Sequence, residues 1–132
     1  MKKALKVIII LVIVLALIFI GGLTVIRSQA LKAQAALIYE DVDMSLAADG
    51  TYEGQADAGL LQVKLNVTVK DHAIANIDIL EHKSGMGKKA EAIMEAMINA
   101  NTYQVDAVSG ATLSSEAIKS AVSKALKESC KK

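Results

Sequence analysis

Leu61-Gln62-Val63-Lys64-Leu65-Asn66-Val67-Thr68-Val69 alternates without a break between large apolar and polar side chains. Successive side chains of a β-strand point to opposite faces, so all five apolar groups fall on one face and the polar ones on the other. Lys70-Asp71-His72 follows as a turn. Beyond it Ile77 and Ile79 alternate with Asp78 in a second strand over Ile74–Leu80, and a shorter strand, Thr51–Ala56, precedes the first. Three such strands make an antiparallel meander with one wet face, and the dry face needs a cover.

Two helical stripes supply that cover. Ala90, Ile93, Met94, Met97 and Ile98 share one helical face between Lys88 and Asn101, with the methionines as core filler. Ala117, Ile118, Ala121, Val122, Ala125 and Leu126 share another, with Lys, Ser and Glu opposite. The fold class that follows is α+β, a small antiparallel sheet covered by two helices. A domain of about eighty residues has a modest core, and a bound cofactor would add to its stability.

Toward the N-terminus the composition changes. Val7 to Ile26 is a run of twenty uncharged residues, mostly Val, Ile and Leu. As a helix it spans the roughly 30 Å hydrocarbon core of a bilayer. A signal peptide shares the charged start at Lys2, Lys3 and Lys6, but its apolar region is normally about 7–15 residues, so length favours an uncleaved single-pass anchor. Residues 1–27 hold four Lys or Arg and no acid, leaving eleven basic and fourteen acidic residues beyond. The positive flank places the N-terminus in the cytoplasm and a mildly acidic domain outside the cell membrane. Leu31, Ala35, Ile38, Val42 and Leu46 recur at helical spacing and predict a helical stalk over 28–48, packing on the domain or self-associating as a short coiled coil. The predicted organisation is thus an anchor over 1–27, a stalk over 28–48 and a domain over 49–132.

Several functions find no support. Scattered lysines and few aromatic residues leave no footprint for nucleic acid. Cys130 is the only cysteine, so no internal disulfide forms, and His72 and His82 stand without the partners of a metal site.

Chemistry concentrates between the covering helices, in Tyr103-Gln104-Val105-Asp106-Ala107-Val108-Ser109-Gly110-Ala111-Thr112-Leu113-Ser114-Ser115. Gly110 permits a sharp turn, Ser109, Thr112, Ser114 and Ser115 offer hydroxyls, and the stretch enters a helix N-terminus, where open N–H groups favour phosphate. The same pattern equally suits Thr112, Ser114 or Ser115 as an ordinary N-cap and Asp106 as a turn residue.

The run Asp106-Ala107-Val108-Ser109-Gly110-Ala111-Thr112 resembles the attachment motif of the FMN-binding domain family. That family includes flavinylated subunits of sodium-pumping NADH:quinone oxidoreductase and the Rnf complex, and small extracytoplasmic flavoproteins. Asp49-Gly50-Thr51-Tyr52-Glu53-Gly54, His82-Lys83-Ser84-Gly85-Met86-Gly87 and the Ser114-Ser115 helix start are similar to the same domain, over about residues 49–128. Gly59 alone represents a Gly-rich stretch common after the first strand, and the turn from His82 to Gly87 lacks a Glu-Thr-Pro pattern that some members carry. The resemblance implies that a flavin transferase esterifies the phosphate of FMN onto Thr112, with Asp106, Ser109, Gly110 and Ala111 as matching motif positions. It makes His82, Ser84, Gly85 and Gly87 candidates for contact with the flavin ring. The expected role is an extracytoplasmic electron carrier serving redox proteins or quinones rather than a stand-alone enzyme. A flavin subunit confined to a larger membrane reductase, and a non-redox tethered interaction module, are the alternatives.

Overall fold

The alternating stretch is a strand in a computed structural model that describes residues 1–59, 61–83 and 87–131. Strand β2 (Gln62–Lys70) lies between β1 (Gly50–Asp57) and β3 (Ala73–Lys83), both antiparallel to it. Leu61, Val63, Leu65, Val67 and Val69 are all buried, as their spacing requires. The second hairpin turns on Asp71 and His72, with φ of 53° and 60°. Two successive positive φ values are those of a type I′ turn, whose twist matches the strands it joins. Neither residue is Gly, and hydrogen bonds hold the conformation. Asp71 N–H donates to Asp49 Oδ1 (2.8 Å), and Asn101 Nδ2 donates to the His72 carbonyl (3.2 Å). Ladder irregularities on β3 leave Ala75 and Leu80 as extra residues, and Leu80 faces solvent.

The first covering stripe forms two helices rather than one. Between α2 (Gly87–Ala90) and α3 (Ala92–Ala100) the helix is interrupted at Glu91, while Ala90, Ile93 and Met97 still face the core. At its far end α3 stops on Asn101 in the left-handed conformation, whose Oδ1 accepts the Ile74 N–H (2.9 Å). The second stripe is α4 (Thr112–Ser129), packed on β1 and β2, with all six of its apolar residues fully buried.

The serines of α4, expected on a solvated face, are buried as well. Ser115, Ser120, Ser123 and Ser129 are inaccessible. The cause of this burial at Ser120 and Ser123 is the segment that precedes the sheet. Residues 37–43 are extended and run along α4, with Ser120 Oγ donating to the Ile38 carbonyl (2.5 Å) and Glu40 N–H to Ser123 Oγ (3.2 Å). Lys127 Nζ donates to the Asp41 carbonyl (2.8 Å), and Leu37 is buried. The helix expected over 28–48 therefore ends at Ala35, because hydroxyls and an amine on α4 bind the backbone groups that a continuing helix would have paired internally. A short 3-10 turn, Met44–Leu46, capped by Asp43 Oδ1 on the Ser45 N–H, completes the approach to β1.

By contact density Met1–Lys32 and Ala33–Lys132 are separate units. The first consists of most of helix α1 (Lys2–Ala35), whose mean hydropathy reaches 3.2 with no part of that window buried. By length and composition it can cross a membrane.

Candidate functional site at the start of the last helix

Three backbone and side-chain contacts shape the loop that leads into α4. Val108 N–H donates to Ser115 Oγ (3.0 Å), Ser115 Oγ donates onward to the Ala111 carbonyl (2.8 Å), and Ala111 N–H donates to the Val108 carbonyl (3.0 Å). Ser115 thus pins residues 108–111 to the first turn of the helix from a fully buried position. Gly110, at φ 80°, supplies the left-handed step that this tight return needs.

The N-cap is Ala111, which has no side-chain group to offer the helix. Thr112 is the first helical residue, exposed, and its hydroxyl makes no hydrogen bond within the described residues. Side-chain capping by Thr112 or Ser115 is thereby excluded, since the N-cap takes no side-chain hydrogen bond and Ser115 Oγ is bound to the loop; Ser114 is buried and engaged in its own contact. No acid lies in the first turn of α4, so the positive end of the helix dipole has no local counter-charge. Asp106, Ser109 and Gly110 are exposed alongside Thr112, and Ala111 is buried. An exposed hydroxyl at an open helix N-terminus, behind a glycine with free space around its Cα, fits a phosphate ester on Thr112.

Sheet register carries the site inward. Ala56, Val63 and His82 lie side by side across the three strands, and Ala56 and Val63 face the covered side. The direction of α4 is antiparallel to β1: Ala48 N–H donates to the Ser129 carbonyl, Gly54 lies against Ala121, and Lys124 Nζ donates to the Gln55 carbonyl. The N-terminus of α4 therefore points toward the end of the sheet at which this row lies. The His82 side chain is only 6% exposed. Among the described residues neither ring nitrogen has a hydrogen-bond partner, and Nδ1 faces Glu91 Oε1 at 3.7 Å. Gly87 opens α2, whereas Ser84 and Gly85 lie outside the described residues. His72 serves the hairpin turn through its carbonyl.

Residues that patterning did not single out surround the site. Tyr39 stacks on Tyr103 with centroids 6.4 Å apart, and its hydroxyl donates to Glu116 Oε2 (2.5 Å), one turn beyond Thr112 on the same helical face. Burial and the adjacent Glu116 carboxylate push the Tyr39 phenol well above its ordinary range. Tyr103 Oη in turn donates to the Glu40 carbonyl (2.9 Å). Two of the chain's three tyrosines thus meet beside α4, but no periodicity marks them because Tyr39 belongs to the extended segment.

The chain is thus a small three-stranded α+β domain with an open, hydroxyl-bearing helix N-terminus. Residues 59–127 match the FMN-binding domain family, and the chain belongs to that family. Over 73 residues it is 38% identical to an NADH:fumarate oxidoreductase of Klebsiella pneumoniae (strain 342), covering 53% of this chain and 8% of that protein. The chain thus spans less than a tenth of the length of that relative. Thr112, its motif neighbours, His82 and Glu91 all fall within the family match, and residues 37–43 fall before it.

Proposed function

We propose that this chain is a membrane-anchored flavoprotein that carries FMN as a phosphoester on Thr112 and passes electrons between redox partners outside the membrane. The observation that carries the attachment site is the exposed Thr112 hydroxyl, uncommitted to capping, at the dipole-positive start of α4. A flavin transferase would break the diphosphate of FAD and form the ester on Thr112 Oγ1, which removes any need for a base in this chain. Exposed Asp106, Ser109 and Gly110, with buried Ala111, are the recognition positions, and Ser114 and Ser115 hold the helix start in place. Among the described residues, His82 is the candidate for contact with the ring.

When bound, the flavin supplies one- and two-electron transfer, and the protein's part is to hold, tune and place it. A covalent tether prevents its loss to dilution outside the cell. Membrane placement rests on α1 and on the positive flank before it. Cys130, the only thiol, reports the orientation: a membrane-impermeant maleimide should label it in intact cells, and labelling only after lysis would contradict an external domain.

A second reading, a flavin subunit confined to a larger reductase, is favoured by one fact: the related stretch of the fumarate oxidoreductase is a minor part of a much longer redox protein. Copurification with haem-, quinone- or iron–sulfur-bearing proteins from detergent extracts would support it. A chain that purifies alone and is reversibly reduced and reoxidised would support the carrier.

A further inference from the structure

A buried imidazole with two unmade hydrogen bonds carries the full desolvation cost of its polar atoms, and native structures retain few such groups without a use. His82 is such a group. Its surroundings are specific. The carboxylate of Glu91 lies 3.7 Å from Nδ1, too long for a hydrogen bond but within reach of one after a small shift, and it leaves Nε2 uncommitted on the other side of the ring. Glu91 sits in the break between α2 and α3, and its side chain is 41% exposed, so the pair connects solvent to the interior. A carboxylate that orients one imidazole nitrogen fixes the tautomer and readies the other for proton exchange.

The other charged groups nearby do not compete. Glu81 and Lys64 are cross-strand neighbours on the wet face of the sheet, where Lys64 pairs with Glu53 (3.2 Å), and Lys89 on α2 and Glu95 on α3 are exposed. Among the described residues, Glu91 is the ionisable group on the helices that approaches the His82 ring. The row Ala56, Val63 and His82 lies at the end of the sheet toward which the N-terminus of α4 points, so the dyad is at the end of the domain that bears Thr112.

We infer that His82, oriented by Glu91, exchanges a proton with the flavin as it is reduced and reoxidised, an inference that rests on FMN being carried at Thr112. On two-electron reduction by a reduced flavoprotein, or by a quinol whose own two protons leave to solvent, the imidazolium of His82 would give its Nε2 proton to the flavin. Neutral His82 keeps its proton on Nδ1, facing Glu91. When both electrons leave to an oxidised partner, the proton returns to Nε2, so protons and electrons balance over the cycle.

The test is the midpoint potential of the flavinylated full-length protein as a function of pH, for wild type, His82→Gln, Glu91→Gln and Glu91→Asp. The titration of His82 itself is followed by NMR in flavin-free Thr112→Ala. The wild-type plot should bend where oxidised and reduced forms titrate differently. The bend should vanish in His82→Gln, shift in Glu91→Gln and return toward wild type in Glu91→Asp. Plots of the same shape in wild type and His82→Gln overturn the inference. If His82→Gln does not fold, an unmoved bend in Glu91→Gln does so. A denaturing gel of the same samples separates this from failure of the attachment reading: absence of bound flavin even in wild type overturns that reading and, with it, this one.

Discussion

Gly54 of β1 lies so close beneath Ala121 of α4 that a methyl group in its place would overlap the Ala121 carbonyl oxygen and press on the Ala125 side chain. Helix α4 therefore rests directly on strand backbone. Gly54→Ala has no flexible side chain to displace and must push α4 off the sheet. Overpacking of this kind costs about 3 kcal/mol. Denaturant unfolding of the full-length protein in detergent should show a lower midpoint and a reduced yield of flavinylated protein. An unchanged midpoint would mean that helix and strand are further apart than described.

Ser115 links the motif loop to the helix through Val108 and Ala111. Ser115→Ala leaves the Val108 N–H without its acceptor, at a cost of about 1–3 kcal/mol. It should also lower the fraction of Thr112 that is flavinylated. Ser123→Ala, which loses a hydrogen bond to Glu40 in the middle of α4, is the control. It should destabilise the protein comparably without affecting flavinylation.

Asn101 joins α3 to the β2–β3 turn through both polar atoms of its side chain. Asn101→Ala loses the two hydrogen bonds and places Ala at a left-handed φ of 53°, for a loss of about 2–3 kcal/mol. Asn101→Gly loses the bonds but relieves the backbone, so it should fall between wild type and Asn101→Ala in thermal unfolding.

Much of this was legible in the sequence where one periodicity dominated. The alternation Leu61–Val69 and the stripe from Ala117 to Leu126 mark the sheet core and the covering helix residue by residue, because each face meets a single environment. The reading is less complete where tertiary contacts decide. Ile38 and Leu46 have helical spacing but remain exposed, since Ser120, Ser123 and Lys127 hold the intervening backbone extended. The break at Glu91 has no Pro or Gly to announce it, and its relation to His82 depends on a strand register that only the folded chain defines. Within the site, Thr112 and Gly110 could be read from motif and turn chemistry, whereas the role of Ser115 as a loop staple could not be distinguished from capping.

Tyr39 predicts the alkaline behaviour. Its phenol is raised by burial and by Glu116, so the neutral form is favoured in the folded state. The stability it contributes is complete below the ordinary phenol range of about 10 and is lost as pH rises beyond it. Unfolding followed from neutral to strongly alkaline pH should show a decline that Tyr39→Phe lacks. Asp43 has the opposite sign: hydrogen bonds from Ser45 lower its carboxyl, so its contribution is present above the usual carboxylate range and is lost as pH falls through its folded value.

The most direct test of the central claim is to produce wild type, Thr112→Ser and Thr112→Ala with a flavin transferase, and to read flavin fluorescence in a denaturing gel together with intact mass. Wild type should fluoresce and gain the mass of one FMN less one water, Thr112→Ser should retain part of that signal, and Thr112→Ala should be dark and unmodified. Fluorescence that persists at the same mass increment in Thr112→Ala would contradict Thr112 as the flavin carrier.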